Sequence, residues 1–314
     1  MKSTVWISLL CLLSAACNRV TDIQPNPNPT EEIPTSAIDA VTGQFPQAEG
    51  IVFKTLEKNQ VWQVNFTQKA ARYSAATNQQ MLLVAYQLAD RSVPDSLTSV
   101  VRNTVIDGGT FSNLRMQNYS WFKDASNNGQ FIFADYDWRG TRYTFRWTVT
   151  NLSGKTTYVT ELFPYYQLEY RTVTLADLPS SIRETLKNQT LDFNYAIVQV
   201  DQQVKKRYGI TVKQNSNFLT LNYTDEGLLS SVSSSPTVQY FSEIGQLPTT
   251  IQAYLRNTPE LAGFSLGGQF TLLAKNKYGM VETYTVNLQK GRETWFLTFN
   301  SSGELTTRSY LNLV

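Results

Sequence analysis

The chain has 314 residues, with 27 Lys plus Arg against 25 Asp plus Glu, and it contains no histidine. The basic residues are scattered apart from Lys205-Lys206-Arg207, so the chain carries no electrostatic footprint for nucleic acid. Without histidine, Ser–His and Cys–His catalysis and a Cys/His zinc site are excluded, and neither a cofactor nor a metal is expected.

At the N-terminus stand Lys2, the apolar run Val5 to Leu13 and the small residues Ser14, Ala15 and Ala16 before Cys17. The run is too short to span a bilayer and has the layout of a secretory signal. It resembles a bacterial lipoprotein signal, in which the cysteine after a short box of Leu and small residues is lipidated, although Ser14 stands where that box has Leu. Residues 1–16 are read as the signal peptide and Cys17 as the lipid attachment site; plain cleavage after Ala16 is the alternative. Residues 17–32, with Pro25, Pro27 and Pro29 among Asn, Thr and Glu, read as a Pro-rich tether that cannot pack a core. No second long apolar run follows, so the membrane is expected to be met through the N-terminal lipid only. The expected location is the cell envelope, at the outer membrane on its periplasmic or surface face. With Cys11 lost in the signal, the mature body would hold no disulfide.

Beyond the tether, four segments begin alike: Ile33-Pro34, Val93-Pro94, Leu178-Pro179 and Leu247-Pro248 each lead into a short helical pattern. The apolar residues that follow are spaced for one helix face, with Val41, Val101, Leu186 and Leu255 as the expected buried positions. Each helix then runs into stretches rich in Thr, Tyr, Phe, Trp and Val. The reading is α+β: tandem repeats of one helix packed on a roughly four-stranded antiparallel sheet, four repeats in two pairs, at 33–92, 93–173, 174–242 and 243–314. Repeats three and four agree at their ends, where Leu221 to Leu229 can be laid on Leu297 to Leu305, each a strand, a turn with Gly227 or Gly303, and a last strand.

The order of helix, then Phe45-Pro46-Gln47-Ala48-Glu49, then strands and turns, resembles the PepSY-like family of secreted modules, related in fold to the beta-lactamase inhibitor protein. The resemblance implies tandem modules, each one helix on a four-stranded antiparallel sheet, without catalytic residues. The second repeat departs from the pattern through an added segment between Thr156 and Thr172, which leaves its strand boundaries open.

Alternation in Phe131 to Trp138 puts Ile132, Ala134, Tyr136 and Trp138 on one side and Phe131, Phe133, Asp135 and Asp137 on the other. Both sides carry aromatics, so either neighbouring repeats pack there or a face is offered to a partner. Ser120 and Lys123, with Ser126-Asn-Asn128 and Lys155-Thr-Thr157, imitate a Ser–Lys acylating set, but the helix start and the glycine that such enzymes need are missing. Asp135 and Asp137, about 7 Å apart on one strand face, have a spacing compatible with inverting glycoside hydrolysis, yet neither has a neighbour in sequence that would tune it. Gly108-Gly109 and Gly267-Gly268 read as turns, and Asp95-Ser96 as helix capping residues.

The expectation is a non-catalytic envelope lipoprotein that binds a protein partner, of unidentified kind, through open sheet faces and hairpin loops. The candidate partner-binding residues are Phe131, Phe133, Asp135, Tyr136, Asp137, Trp138, Tyr165 and Tyr166. One alternative is inhibition of a secreted peptidase or hydrolase, through aromatics and acids presented from a hairpin and a sheet face. Another is glycan binding or envelope assembly, with Trp62, Trp121, Trp138, Trp147 and Trp295 as stacking candidates.

Overall fold

Each of the four prolines ends an extended stretch and caps a helix. Pro34, Pro94, Pro179 and Pro248 are the N-caps of α1 (Thr35–Gln44), α2 (Asp95–Thr98), α3 (Ser180–Asn188) and α4 (Thr249–Asn257). Their carbonyls accept the first helical bonds, from the N–H groups of Ala37 (2.9 Å), Leu97 (2.9 Å), Arg183 (3.1 Å) and Gln252 (3.1 Å). A proline serves well here because its own missing N–H lies outside the helical ladder. Helix α2 is a single turn, continued by the 3-10 turn Ser99–Val101, and Asp95 pairs with Arg102 instead of capping the backbone. Val41, Val101, Leu186 and Leu255 are all buried.

The computed structural model describes residues 32–122, 130–152, 155–234, 238–266 and 273–313. The expected signal, Cys17 and nearly all of the tether lie outside the described residues, as do Lys123, Ser126, Asn128 and Gly267-Gly268. After α1 come β1 (Glu49–Glu57), β2 (Val61–Gln68), β3 (Ala71–Asn78) and β4 (Leu82–Leu88). After α2 come β5 (Thr110–Ser120), β6 (Gln130–Trp138), β7 (Thr141–Leu152), β8 (Lys155–Pro164) and β9 (Leu168–Thr172). Helix α3 is followed by β10 (Asp192–Val200), β11 (Lys206–Gln214), β12 (Asn217–Tyr223), β13 (Leu229–Ser234) and β14 (Val238–Tyr240). Helix α4 precedes β15 (Leu273–Tyr278), β16 (Val281–Lys290), β17 (Glu293–Asn300) and β18 (Leu305–Leu313).

These strands do not close into four separate four-stranded sheets, and the expected helix-on-sheet repeat architecture is corrected accordingly. The fold is mostly β: one antiparallel sheet of 13 strands in the order β1 to β8, then β18, β17, β16, β15, β14, and a second of five in the order β13 to β9. The four helix starts are readable from the prolines, but the second and third segments hold five strands each, β5–β9 and β10–β14, and neither that number nor the edge pairing is. Strand β4 pairs with β5 across the expected boundary at 92–93, and β8 pairs with β18 across some 150 residues, as in Tyr310 opposite Leu162. Any strand edge offers the same unpaired N–H and C=O groups, and fusing two edges satisfies both. Strand β9, inside the segment read as the second repeat, pairs with β10 of the small sheet, with Val198 opposite Tyr170.

Three cores result. Val41 of α1 and Phe45 at its C-cap lie with Val64, Phe66, Tyr73 and Leu82 of the large sheet. Leu97, Ile251 and Leu255, from α2 and α4, pack with Tyr136, Phe145, Trp147, Trp295 and Phe299. Ile182 and Leu186 of α3 share a core with Val198, Ile210, Leu219 and Leu221 of the small sheet and with Val61, Leu83 and Tyr86 of the large one. Strand β9 lies against β3 and β4 while β13 lies against β15 and β16, so the large sheet flanks both edges of the small one. Hydrogen bonds tie these seams: Tyr86 OH donates to the Glu169 carbonyl (3.0 Å), Asn78 Nδ2 to Asp177 Oδ2 (2.9 Å) and Thr283 Oγ1 to the Val232 carbonyl (2.6 Å).

Candidate functional site

The small sheet buries one face and opens the other. Ala196, Val198, Ile210, Leu219 and Leu221 point into the α3 core. Alternation sends Tyr195, Ile197 and Gln199 on β10, Gly209 and Thr211 on β11, and Thr220 and Asn222 on β12 to the opposite side. There they line a cleft of about 720 Å³. Its other wall is Thr298 on β17 with Thr306, Thr307 and Ser309 on β18, and its end is the corner Phe163-Pro164-Tyr165 between β8 and β9. The register sets Ile197, Gly209, Asn222 and Ser231 in one row across four strands, the floor of the cleft.

Gly209 is the informative position in that row. Its backbone does not need a glycine, yet the strand interior keeps one, and a Cβ there would come within 3.4 Å of Asn222 Oδ1. An interior strand glycine without a bulge marks a place where something else approaches the backbone. On either side, Ile197 is 39% exposed and Asn222 Nδ2 donates to Ser231 Oγ (3.0 Å). Gln199 Nε2 donates to Glu169 Oε2 (2.7 Å), so both amides in the floor are held in fixed orientations.

The charged residues lie toward the rim and are largely matched. Lys206 Nζ donates to the Leu56 carbonyl (2.7 Å) and lies 3.3 Å from Glu57 Oε2 and 3.9 Å from Asp225 Oδ1. Arg308 pairs with Glu260 (3.3 Å) and Tyr143 OH. Arg207 donates to the carbonyls of Pro164 (3.1 Å) and Tyr165 (2.8 Å), pinning the corner; burial lowers its guanidinium from the usual value, opposed by the nearby Asp201 carboxylate. Asp201 accepts from the N–H groups of Gln203 (2.8 Å) and Lys205 (2.9 Å), which shapes the β10–β11 turn. Beneath the corner, Arg115 and Asp135 form a buried ion pair at 2.8 Å. Arg115 also donates to the Tyr166 carbonyl (2.9 Å), and Asn113 Nδ2 donates to Asp135 (2.8 Å). The Tyr165 hydroxyl above them is pushed up to about 12, first by burial and then by the Asp135 charge.

Of the eight residues that the sequence nominated for a partner, Tyr165 lines this cleft. Phe133, Asp135, Tyr136, Trp138 and Tyr166 are buried and offer no free surface. Phe133 meets Tyr86 edge-on at 5.3 Å, and Trp138 stacks on Trp295 at 6.2 Å. Phe131 is half-buried against the Arg146 guanidinium (5.5 Å), and Asp137 pairs with Arg142 at 3.1 Å. Both faces of β6 are therefore packed: Ile132, Ala134, Tyr136 and Trp138 belong to the α2 and α4 core, Phe131 and Phe133 to the α3 core. Asp135 and Asp137 are each engaged by an arginine, which does not suit a proton-shuttling pair. Four of the five tryptophans considered for sugar stacking, Trp62, Trp138, Trp147 and Trp295, are buried. Sequence reasoning missed Gln199, Gly209, Asn222 and Thr298; the available signal was the interior glycine of β11. Among the described residues, no group of acidic or cysteine side chains could hold a metal ion, and no helix is long and apolar enough to cross a membrane.

No protein-family pattern matches the chain, and no curated protein sequence does. The PepSY-like resemblance thus rests on its short motifs alone. Among solved structures, the chain is similar to a protein from Bacteroides vulgatus described as periplasmic and of unknown function, at 13% identity over 45% of this chain and 98% of that one, with a TM-score of 0.22. A likeness that slight carries no argument about fold or function.

Proposed function

We propose that this chain is a non-catalytic, lipid-anchored binding protein of the cell envelope that takes its ligand in the cleft between the small sheet and β17–β18. The observation that carries the reading is the floor around Gly209, where exposed Ile197 lies beside Asn222 and Ser231, with Thr306, Thr307 and Ser309 of β18 lining the same cleft. Concave sites of about 300–1,000 Å³, lined mainly by apolar and aromatic side chains with a few placed polar groups, are where small ligands are held. The anchoring half of the reading rests on Cys17 and the tether. Five of the eight residues expected to meet a partner, Phe133, Asp135, Tyr136, Trp138 and Tyr166, are buried, and Tyr165 lines the cleft, so the cleft takes their place in this reading.

The cleft is tested by thermal shift with fractionated native envelope extract. A fraction containing the ligand raises the Tm of the wild type, because a ligand that binds only the folded state stabilises it by RT ln(1 + [L]/Kd). Gly209→Phe, which fills the floor, should abolish the shift while its own unfolding stays cooperative. Equal shifts in both proteins, or none with any fraction, would overturn the cleft as the binding place. Anchoring is tested by fractionation: Cys17→Ser should move the folded protein from the membrane to the soluble fraction, and retention in the membrane would refute the lipid anchor.

A further inference from the structure

The geometry points to a ligand class: we infer that the cleft takes a neutral, polyhydroxylated chain, an oligosaccharide of a few sugar units. This rests on the cleft being the binding place. Three observations favour it over a charged ligand or a peptide.

First, the walls of the cleft set hydroxyls and amides among apolar and aromatic side chains such as Ile197 and Tyr195. Thr211, Thr220 and Asn222 on the small sheet look toward Thr298, Thr307 and Ser309 on the large one. A hydroxyl both donates and accepts, and a primary amide offers two donors and an acceptor in one plane, the complement of vicinal sugar hydroxyls. The amides of Gln199 and Asn222 are already oriented by Glu169 and Ser231, so little rotamer freedom is lost on binding.

Second, the cleft has little net charge to spend on an ionic ligand. Its lining sets Lys205, Lys206, Arg207 and Arg308 against Asp201, Asp225 and Glu226, a near balance; Lys206 and Arg308 also face the carboxylates of Glu57 and Glu260, and Arg207 is engaged by two carbonyls. Ring surface is supplied at the end and floor by Tyr165 and Tyr195, each steadied by an arginine over its ring, Arg142 at 5.6 Å and Arg171 at 3.8 Å.

Third, an extended peptide gains its affinity from main-chain bonds to an open strand edge. Here the cleft is walled by sheet faces, and the edges of the small sheet, β9 and β13, lie against β3–β4 and β15–β16. A flat floor at Gly209 suits a pyranose ring lying on the sheet, whereas a peptide strand would find no backbone partner there.

The test is a glycan array of neutral di- to hexasaccharides, with acidic oligosaccharides and a peptide library beside it, followed by titration calorimetry. The expected result is binding to a neutral glycan that falls at least tenfold in Asn222→Ala and in Gln199→Ala at unchanged Tm. Gly209→Phe should abolish it. No binding by any neutral glycan overturns the inference, as does neutral-glycan binding that all three variants leave intact. Peptide or acidic-glycan binding lost in Gly209→Phe would also overturn the ligand class while upholding the cleft, which separates this failure from that of the binding place itself.

Discussion

Gly303→Ala should be among the most damaging single-methyl changes in the chain. Gly303 sits in the β17–β18 turn with φ at +82°, its N–H donating to the Asn300 carbonyl at 3.0 Å. A Cβ on it would lie 2.8 Å from Thr250 Cβ and 3.4 Å from Ile251 Cγ1, and it would overlap Thr250 Oγ1. Rotating Thr250 can remove the oxygen, but its Cβ is fixed to the first turn of α4. The left-handed backbone alone costs an alanine about 1–2 kcal/mol, and forcing a methyl into an occupied space adds about 1–3 kcal/mol. The control is Gly279→Ala, at φ +57° with nothing within 4 Å of the new methyl, which should show the backbone cost alone. Gly227→Ala should fall between, because its methyl would stand 3.3 Å from Ser181 Cβ at the equivalent place on α3. Urea unfolding of the three variants gives the ranking directly, and about 1 kcal/mol corresponds to roughly 2–4 °C in Tm for a domain of this size. Adding Thr250→Gly to Gly303→Ala should cost less than the two single changes summed, since the second removes the clash made by the first. A Gly303→Ala variant no less stable than Gly279→Ala would mean that the turn does not press on the first turn of α4.

Three further outcomes are expected. Leu186→Asp, at a side chain 1% exposed between α3 and the small sheet, leaves an unpaired buried charge; it should cost several kcal/mol, and an unchanged melting temperature would contradict the packing of α3. Arg115→Met strands Asp135, itself 1% exposed, and should cost about 3–5 kcal/mol, whereas Arg115→Met with Asp135→Leu should recover part of that loss; a single variant within about 1 kcal/mol of wild type would mean the pair is solvated. Asp177, which accepts from Asn78 and Thr172, has its carboxyl raised above the ordinary 3.8 by burial, against the opposing pull of those two bonds. The folded state then holds its proton to higher pH than the unfolded chain does, so this contribution to stability is present at low pH and lost as pH rises above about 4 through the folded value. Asp177→Asn removes that titration, so its Tm minus that of wild type should rise between pH 4 and pH 7; a difference that stays constant or falls over that range would reverse the assignment.

The parts of the fold legible in the sequence are those set by local chemistry. Pro34, Pro94, Pro179 and Pro248 announce helices because a proline constrains its own φ and its neighbour, whatever the tertiary context. The faces of β6 are readable because a period of two separates Tyr136 and Trp138 from Phe133 regardless of what covers each side. Even the likeness between the ends of the third and fourth segments is physical: Gly227 and Gly303 each receive the second residue after a helix-starting proline, Ser181 and Thr250. Pairing of β4 with β5 and of β8 with β18 is carried by backbone groups that every residue shares, so no pattern in the sequence announces it.

The cleft was hidden for a related reason. Its walls come from residues 163–165, 195–231 and 298–309, and each strand contributes Thr, Ser, Asn or Gln at alternate positions. A half-buried strand shows that same polar alternation whether its outer face meets bulk water or a second wall a few ångströms away. Aromatic residues drew attention to Phe131–Trp138 because large rings dominate binding surfaces, yet in a body held without described disulfides the same rings are the core. Gly209 differs from both. Neither bulk water nor a packed core requires a glycine within a regular strand, and placing one there forfeits about 0.5–1 kcal/mol relative to alanine. With Asn222 Oδ1 at 3.4 Å from the missing methyl, an alanine would have fitted with little adjustment, so the open floor is the feature that a ligand lying flat on the sheet would explain.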